Sequence, residues 1–247
     1  MKKYGKSKLG LFLVSSLLLV GCDDNNDQIP VVSETFTVRI ENVSTENLIN
    51  TTRANGAVPL SQGVYAVYES VNPMFTIGID KKSDAALELM AEDGVTTLLL
   101  NQLASMKTII SGLFEAPGGP DNSTALFPGE EATFTFEASP GDELQIITMF
   151  MQSNDWFYAF RRNGLDLFDG LEAIDGDVTS ELVLYDAGTE DDTAPGTGPD
   201  QKLAQDPSVT NQGPRDPLNQ IHPAVGSHPE YTIPETASVI KVTITHD

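Results

Sequence analysis

From Thr35 to Glu41 the apolar residues Phe36, Val38 and Ile40 alternate with Thr35, Thr37, Arg39 and Glu41. A period of two is that of a strand with one buried and one wet face. Val64 to Val71 is a second β-rich run, and Ala132, Phe134 and Phe136 alternate with Thr133, Thr135 and Glu137 in a third. The turn-forming Ser139-Pro140-Gly141-Asp142 then predicts a hairpin to Leu144–Met151. That run is apolar on both faces, Leu144, Ile146 and Phe150 against Ile147, Met149 and Met151, as a central strand requires. Val178 to Tyr185 is a further candidate, and Ile240, Val242 and Ile244 alternate near the end of the chain. Strands joined by long connections argue for an antiparallel β-sandwich rather than a parallel α/β fold.

Two segments break this period. Ser83 to Glu92 places Ala86, Leu87 and Met90 on one helical face, with Ser83 as the expected N-cap and Gly94 as the stop. Leu98, Leu99, Leu103 and Met106 recur at helical spacing within Val95–Met106. Both read as short helical insertions covering one end of the core. Ala187 to Thr232 is different: it carries seven prolines and no periodicity. A connection of that length is functional or disordered as a rule, and it is expected along the surface, open to proteases.

The first residues change the picture of where the protein resides. Lys2, Lys3, Lys6 and Lys8 precede the short apolar run Leu9–Val20, and Leu19-Val20-Gly21-Cys22 reads as a lipobox. The run is too short to span a bilayer core of roughly 30 Å, so a lipoprotein signal peptide over 1–21 is expected, with Cys22 as the lipidation site. More than one acyl chain on Cys22 gives stable anchoring. Residues 22–33 form an acidic tether, read either as a solvated spacer or as a sorting signal, and the domain is expected over 34–247. The localisation implied is the bacterial cell envelope, extracytoplasmic, in an inner- or outer-membrane leaflet or at the cell surface.

The whole chain has a net charge of −22. The leader removes four of the 14 basic residues and none of the 36 acidic ones, leaving −26. A body this acidic repels nucleic acid and anionic head groups, so membrane contact is expected through the lipid anchor alone. With the single cysteine lipidated, no disulfide can form. Eleven of the carboxylates fall between Asp166 and Asp200, where no lysine or arginine occurs. Such a run is a solvated face by default, unless the fold brings its carboxylates onto a cation.

Ser153-Asn154-Asp155-Trp156-Phe157 contains the only tryptophan, placed directly after a carboxylate. Leu184-Tyr185-Asp186-Ala187-Gly188-Thr189-Glu190 ends an apolar run with another. Together with Ala91-Glu92-Asp93-Gly94 and Gly196-Thr197-Gly198-Pro199-Asp200-Gln201, these segments resemble the spondin N-terminal domain family, whose members include bacterial lipoproteins. The resemblance spans roughly Thr35 to Asp247. It implies an all-β, C2-like antiparallel sandwich with Ca2+ at one end. Asp155 and Asp186 match two family ligands, and Glu137, at a strand end upstream of Asp155, is the candidate for a third. Asn154 stands where the family has proline, Ala159 where glycine is common, and Glu190 where it has aspartate. Trp156 reads as a packing anchor for the loop bearing Asp155.

His222, His228 and His246 match no zinc spacing, and His222 and His228 read as surface residues. No nucleophile elbow occurs. Two classes of function are left. One is a non-enzymatic binding or adhesion module with a calcium-rigidified sandwich end and an unknown protein or glycan ligand. The other is a hydrolase of envelope or extracellular polymers using the same carboxylates.

Overall fold

The computed structural model describes residues 33–78, 85–117 and 124–247. The leader, Cys22, the tether up to residue 32 and the expected cap Ser83 lie outside them. Among the described residues the fold is an antiparallel β-sandwich with two short α-helices.

The smaller sheet has four strands. β1 (Glu34–Asn42) lies between β4 (Glu131–Ala138) and β13 (Ile240–His246), and β10 (Gly176–Asp177) joins the outer edge of β13. Phe36, Val38 and Ile40 of β1 are buried, as are Ala132, Phe134 and Phe136 of β4 and Ile240, Val242 and Ile244 of β13. One face of this sheet is therefore core and the other is wet, as the alternation predicts.

The larger sheet runs in the order β12 (His222–Pro223), β11 (Leu182–Asp186), β6 (Trp156–Phe160), β5 (Asp142–Met149), β2 (Gly63–Glu69) and β3 (Ile110–Phe114). Between β7 (Leu165–Asp166), which pairs with β5, and β10 the chain makes a small ribbon of β8 (Phe168–Asp169) and β9 (Glu172–Ala173). Leu144, Ile146, Trp156, Tyr158, Phe160, Leu182 and Leu184 face the smaller sheet and close the main core with it. Val64, Ala66, Ile147, Phe157, Ala159 and Tyr185 face the other way, into a second core.

α1 (Ala85–Asp93) and α2 (Thr97–Ala104) supply the cover for that second core, through Ala86, Leu87, Met90, Ala91, Leu99 and Leu103. The helices thus lie across a face of the large sheet, not over an end of the sandwich. Gly94 stops α1 as expected: its N–H reaches Met90 O at 3.2 Å and its φ is +66°.

The turn at Ser139–Asp142 forms, with Ser139 N–H donating to Asp142 Oδ2 at 2.7 Å, but it does not make a hairpin. β4 pairs with β1 whereas β5 pairs with β2, β6 and β7, so the turn carries the chain from one sheet to the other. The physical reason is the two-faced character of β5. It needs cover on both sides, which the one-sided smaller sheet cannot give.

The proline-rich segment is also less superficial than expected. Ala187, Ile221 and Ala224 are fully buried, Gln201 is buried too, and β12 adds a short strand to the edge of β11. Mostly exposed residues fall in two stretches, 206–218 and 225–232.

Candidate metal centre

The register of β6 against β11 sets the site. Asp186 lies opposite Trp156, so the start of β6 and the end of β11 share one end of the large sheet. Just beyond the ladder, Ala187 N–H donates to Asp155 O at 3.2 Å. On the far side of β11, His222 lies opposite Asp186. Side chains opposite one another in adjacent strands share a face, so Trp156, Asp186 and His222 form one row. Asp155, one residue earlier than Trp156, turns to the other face.

Asp155 is fully buried. Its Oδ2 accepts from Thr189 N–H at 2.7 Å, Thr189 Oγ1 at 3.0 Å and Glu190 N–H at 3.0 Å. This is what the Asp-Ala-Gly-Thr turn is for: it wraps back so that two successive amides close on the first aspartate. Gly188 makes the wrap possible, with φ +66° and a position at which a Cβ would strike the Gln220 backbone. Asn154 ties in the rest of the loop. Its Oδ1 accepts from Thr193 N–H at 3.0 Å and Thr193 Oγ1 at 2.8 Å, while its Nδ2 donates to Glu190 Oε1 at 2.6 Å. Gln201 of the Gly-Thr-Gly-Pro-Asp-Gln segment donates to Thr193 Oγ1 at 2.9 Å and Ala194 O at 3.0 Å, so that motif is an internal brace.

On this face α1 brings in a glutamate, Glu92 of its last turn. It is buried, and its carboxyl interacts with the Thr189 hydroxyl and is repelled by Asp155. Glu92, Glu190, Glu88 and Thr189 line a small cavity of about 40 Å3. Gly213 closes one wall, since a Cβ there would collide with Glu190 Oε1. Glu137 is elsewhere. It sits exposed on the wet face of β4 opposite Thr35, and it joins none of these carboxylates. The expectation that Glu137 supplies a third ligand is corrected: strand alternation sends it outward, because Phe136 and Ala138 beside it take the core.

Asp186 faces the other way. Its Oδ1 accepts from Gly188 N–H at 2.6 Å, and its Oδ2 lies 2.9 Å from His228 Nε2 and 3.4 Å from His222 Nε2. His228 Nε2 is also 3.0 Å from Asp192 Oδ2, which accepts from Trp156 Nε1–H at 2.8 Å. The His228 ring is stacked between Trp156 and Tyr231, with centroid separations of 5.4 and 5.3 Å. Trp156 is thus the packing anchor expected of it and also the donor that aims Asp192. Asp186, Asp192 and His228 offer ligand atoms all within 4.8 Å of one another, and so do Asp186, Asp216 and His222. These residues are placed to hold a metal ion. The histidines are not the surface residues their spacing suggests, because β12 folds one of them onto the sheet and the Trp156–Tyr231 stack holds the other.

Electrostatics say the same. Among the described residues, no lysine or arginine pairs with Asp155, Asp186, Glu190, Asp192 or Glu92; Arg215 reaches Glu88 and Lys202 reaches Asp93. Burial raises every one of these acids: Asp155 to about 6, Glu92 to about 8, Asp186 to about 8, Glu190 to about 9 and Asp192 to about 10. Mutual repulsion adds to it, and for Asp155 the amides and hydroxyl of Thr189 and Glu190 hold the rise back. Three carboxylate oxygens, Asp155 Oδ1, Glu190 Oε2 and Asp192 Oδ1, are buried with no hydrogen-bond partner. Unpartnered buried acceptors are expensive, and a cation satisfies several at once. The chain matches no family model, and no curated protein is significantly similar to it.

Of this set, Asp155 and Asp186 are legible from their motifs. Glu190 lies within one of the quoted segments, and Glu92 within another, so both carried a signal. Asp192, Asp216, His222 and His228 carried none, since only the path of the long segment brings them together.

Proposed function

We propose that this protein is a calcium-stabilised binding module of the bacterial envelope, held at the membrane through lipidated Cys22 and related to the spondin N-terminal domain. The observation that carries the metal part is that Asp155 Oδ1 and Glu190 Oε2 are both buried without a partner, Glu190 lining a cavity together with Glu92. Arg215, which also lines the cavity, is paired with Glu88, and the ligands left to an ion are carboxylate and hydroxyl oxygens, the set that calcium takes and that zinc-type ions do not prefer. Asp155, Glu190 and Glu92 would hold the ion, while Asp186 faces the histidines. Calcium would supply charge neutralisation and tie α1, the start of β6 and the turn after β11 together.

The binding part rests on what the centre braces. A groove of about 520 Å3 is lined by Asn47, Asn50, Thr51, Thr197, Tyr231 and their neighbours. Amides, hydroxyls and one tyrosine face, interleaved with Leu48, Ile49 and Pro195, suit a ligand with both polar edges and apolar ring faces, such as a glycan. Burial of the carboxylates favours binding over hydrolysis, because the groove reaches Tyr231 and Glu230 but none of the buried acids.

Calcium is expected to raise the melting temperature of the wild-type protein, and magnesium to substitute poorly because it demands tighter octahedral geometry. Glu92→Gln and Glu190→Gln should each remove most of that shift, whereas Glu137→Gln should leave it intact. A full calcium shift in both cavity variants would place the ion elsewhere. Glycan and protein arrays read with calcium and with chelator identify the ligand; equal binding in both conditions would separate recognition from the metal.

A further inference from the structure

We propose that the opposite face of the same sheet end takes two zinc-class divalent ions, bridged by Asp186 and distinct from the calcium position. One position is made by Asp192 and His228, the other by Asp216 and His222, and Asp186 belongs to both. Imidazole nitrogen with carboxylate oxygen is the donor set of zinc and its neighbours, and calcium has little use for the nitrogen.

The two histidines do not converge on a single ion. Both Nε2 atoms turn to Asp186 Oδ2, yet they fall in separate ligand groups and their rings are 6.0 Å apart. A shared carboxylate between two His–Asp pairs is the arrangement that accommodates this. Each acid also has one oxygen already held by an N–H donor. Gly188 N–H holds Asp186 Oδ1, Trp156 Nε1–H holds Asp192 Oδ2, and Leu218 N–H holds Asp216 Oδ1 at 2.7 Å. Such bonds orient ligands before a metal arrives. The other oxygen of Asp192 is buried without any partner, in a side chain only 6% exposed. His228 is fixed by its aromatic neighbours, and Tyr231, one of the two, donates its hydroxyl to Asp192 O at 3.0 Å.

The consequence is a clip. Asp186 ends β11, and Asp192, Asp216, His222 and His228 all come from the segment that follows it. Two bridged ions would fasten both ends of that segment to the sheet, leaving the exposed stretch between them as a tethered arch.

The test is a zinc titration of the purified, chelator-treated protein against a chromogenic competitor. Wild type is expected to take two equivalents, His222→Ala and His228→Ala one each, and Asp186→Asn none that competes. Cobalt in place of zinc should give visible ligand-field absorption that weakens in each histidine variant. A cooperative melting transition in chelator reports whether the variants are folded; if His228→Ala is not, His228→Gln keeps a polar side chain between the two aromatic rings and replaces it. Zero or one equivalent in wild type, or two retained in both histidine variants, overturns the proposal. Loss of the calcium response alone, with zinc stoichiometry intact, would overturn only the calcium reading.

Discussion

Asp155 shows how one carboxylate can brace a turn with one oxygen and leave the other unmatched. Its Oδ2 is saturated by three donors from Thr189 and Glu190, while its Oδ1 is buried and unmatched. Two substitutions separate these roles. Asp155→Asn keeps an acceptor for the three donors and replaces the unmatched oxygen with an amide nitrogen, so the metal-free protein should be unchanged or slightly stabilised while its calcium response disappears. Asp155→Ala strands the donors in the interior, at about 1–3 kcal/mol for each group left unsatisfied. Chemical denaturation in chelator should therefore rank wild type and Asp155→Asn together, with Asp155→Ala lower by at least about 2 kcal/mol. Equal stability for the Asn and Ala variants would mean that the turn after β11 does not depend on this aspartate.

The elements explain why that residue was visible in the sequence and its partners were not. Period-two alternation marks β1, β4 and β13 because each has one wet face, and the two-faced run of β5 is equally plain. β6 is apolar at every position and buried throughout, so it carries no alternation, and only the motif at its start marks it. Pairing between strands is a property of the whole sheet, which is why a well-formed turn at Ser139–Asp142 could suggest a hairpin that the sheets refuse. The long segment is the extreme case. Much of what holds it is side-chain hydrogen bonding to Asn154, Arg53 and Asp93, with no period to betray it. That revises the expected pattern of proteolysis. Cleavage should begin within the exposed stretch 206–218 and spare 187–205, where Thr189, Glu190 and Gln201 are buried. Mass mapping of the first fragments would show it, and early cuts between Ala187 and Gln205 would contradict the bracing described above.

At the scale of the molecule, the sandwich end stores charge that only protons or metal ions can neutralise. In the unfolded chain the acids titrate near 4. In the folded protein burial lifts Asp155 to about 6, Glu92 and Asp186 to about 8, Glu190 to about 9 and Asp192 to about 10. Between those limits the native state binds more protons than the unfolded state, so stability falls as pH rises. The contribution is fully present below about pH 4 and is lost progressively as pH passes through the folded values. In chelator, the melting temperature is therefore expected to decline steadily from about pH 5 to pH 9. Metal reverses the dependence, because ions compete with protons for the same oxygens and bind better as those protons leave. The gap between metal-loaded and chelated melting curves should thus widen with pH and be smallest in acid. Glu92→Gln and Glu190→Gln, which stay neutral at every pH, should flatten the decline in chelator. If the chelated wild type were instead most stable near pH 8, the buried acids would already be neutralised by something other than protons, and the case for a cation-dependent sandwich end would fail.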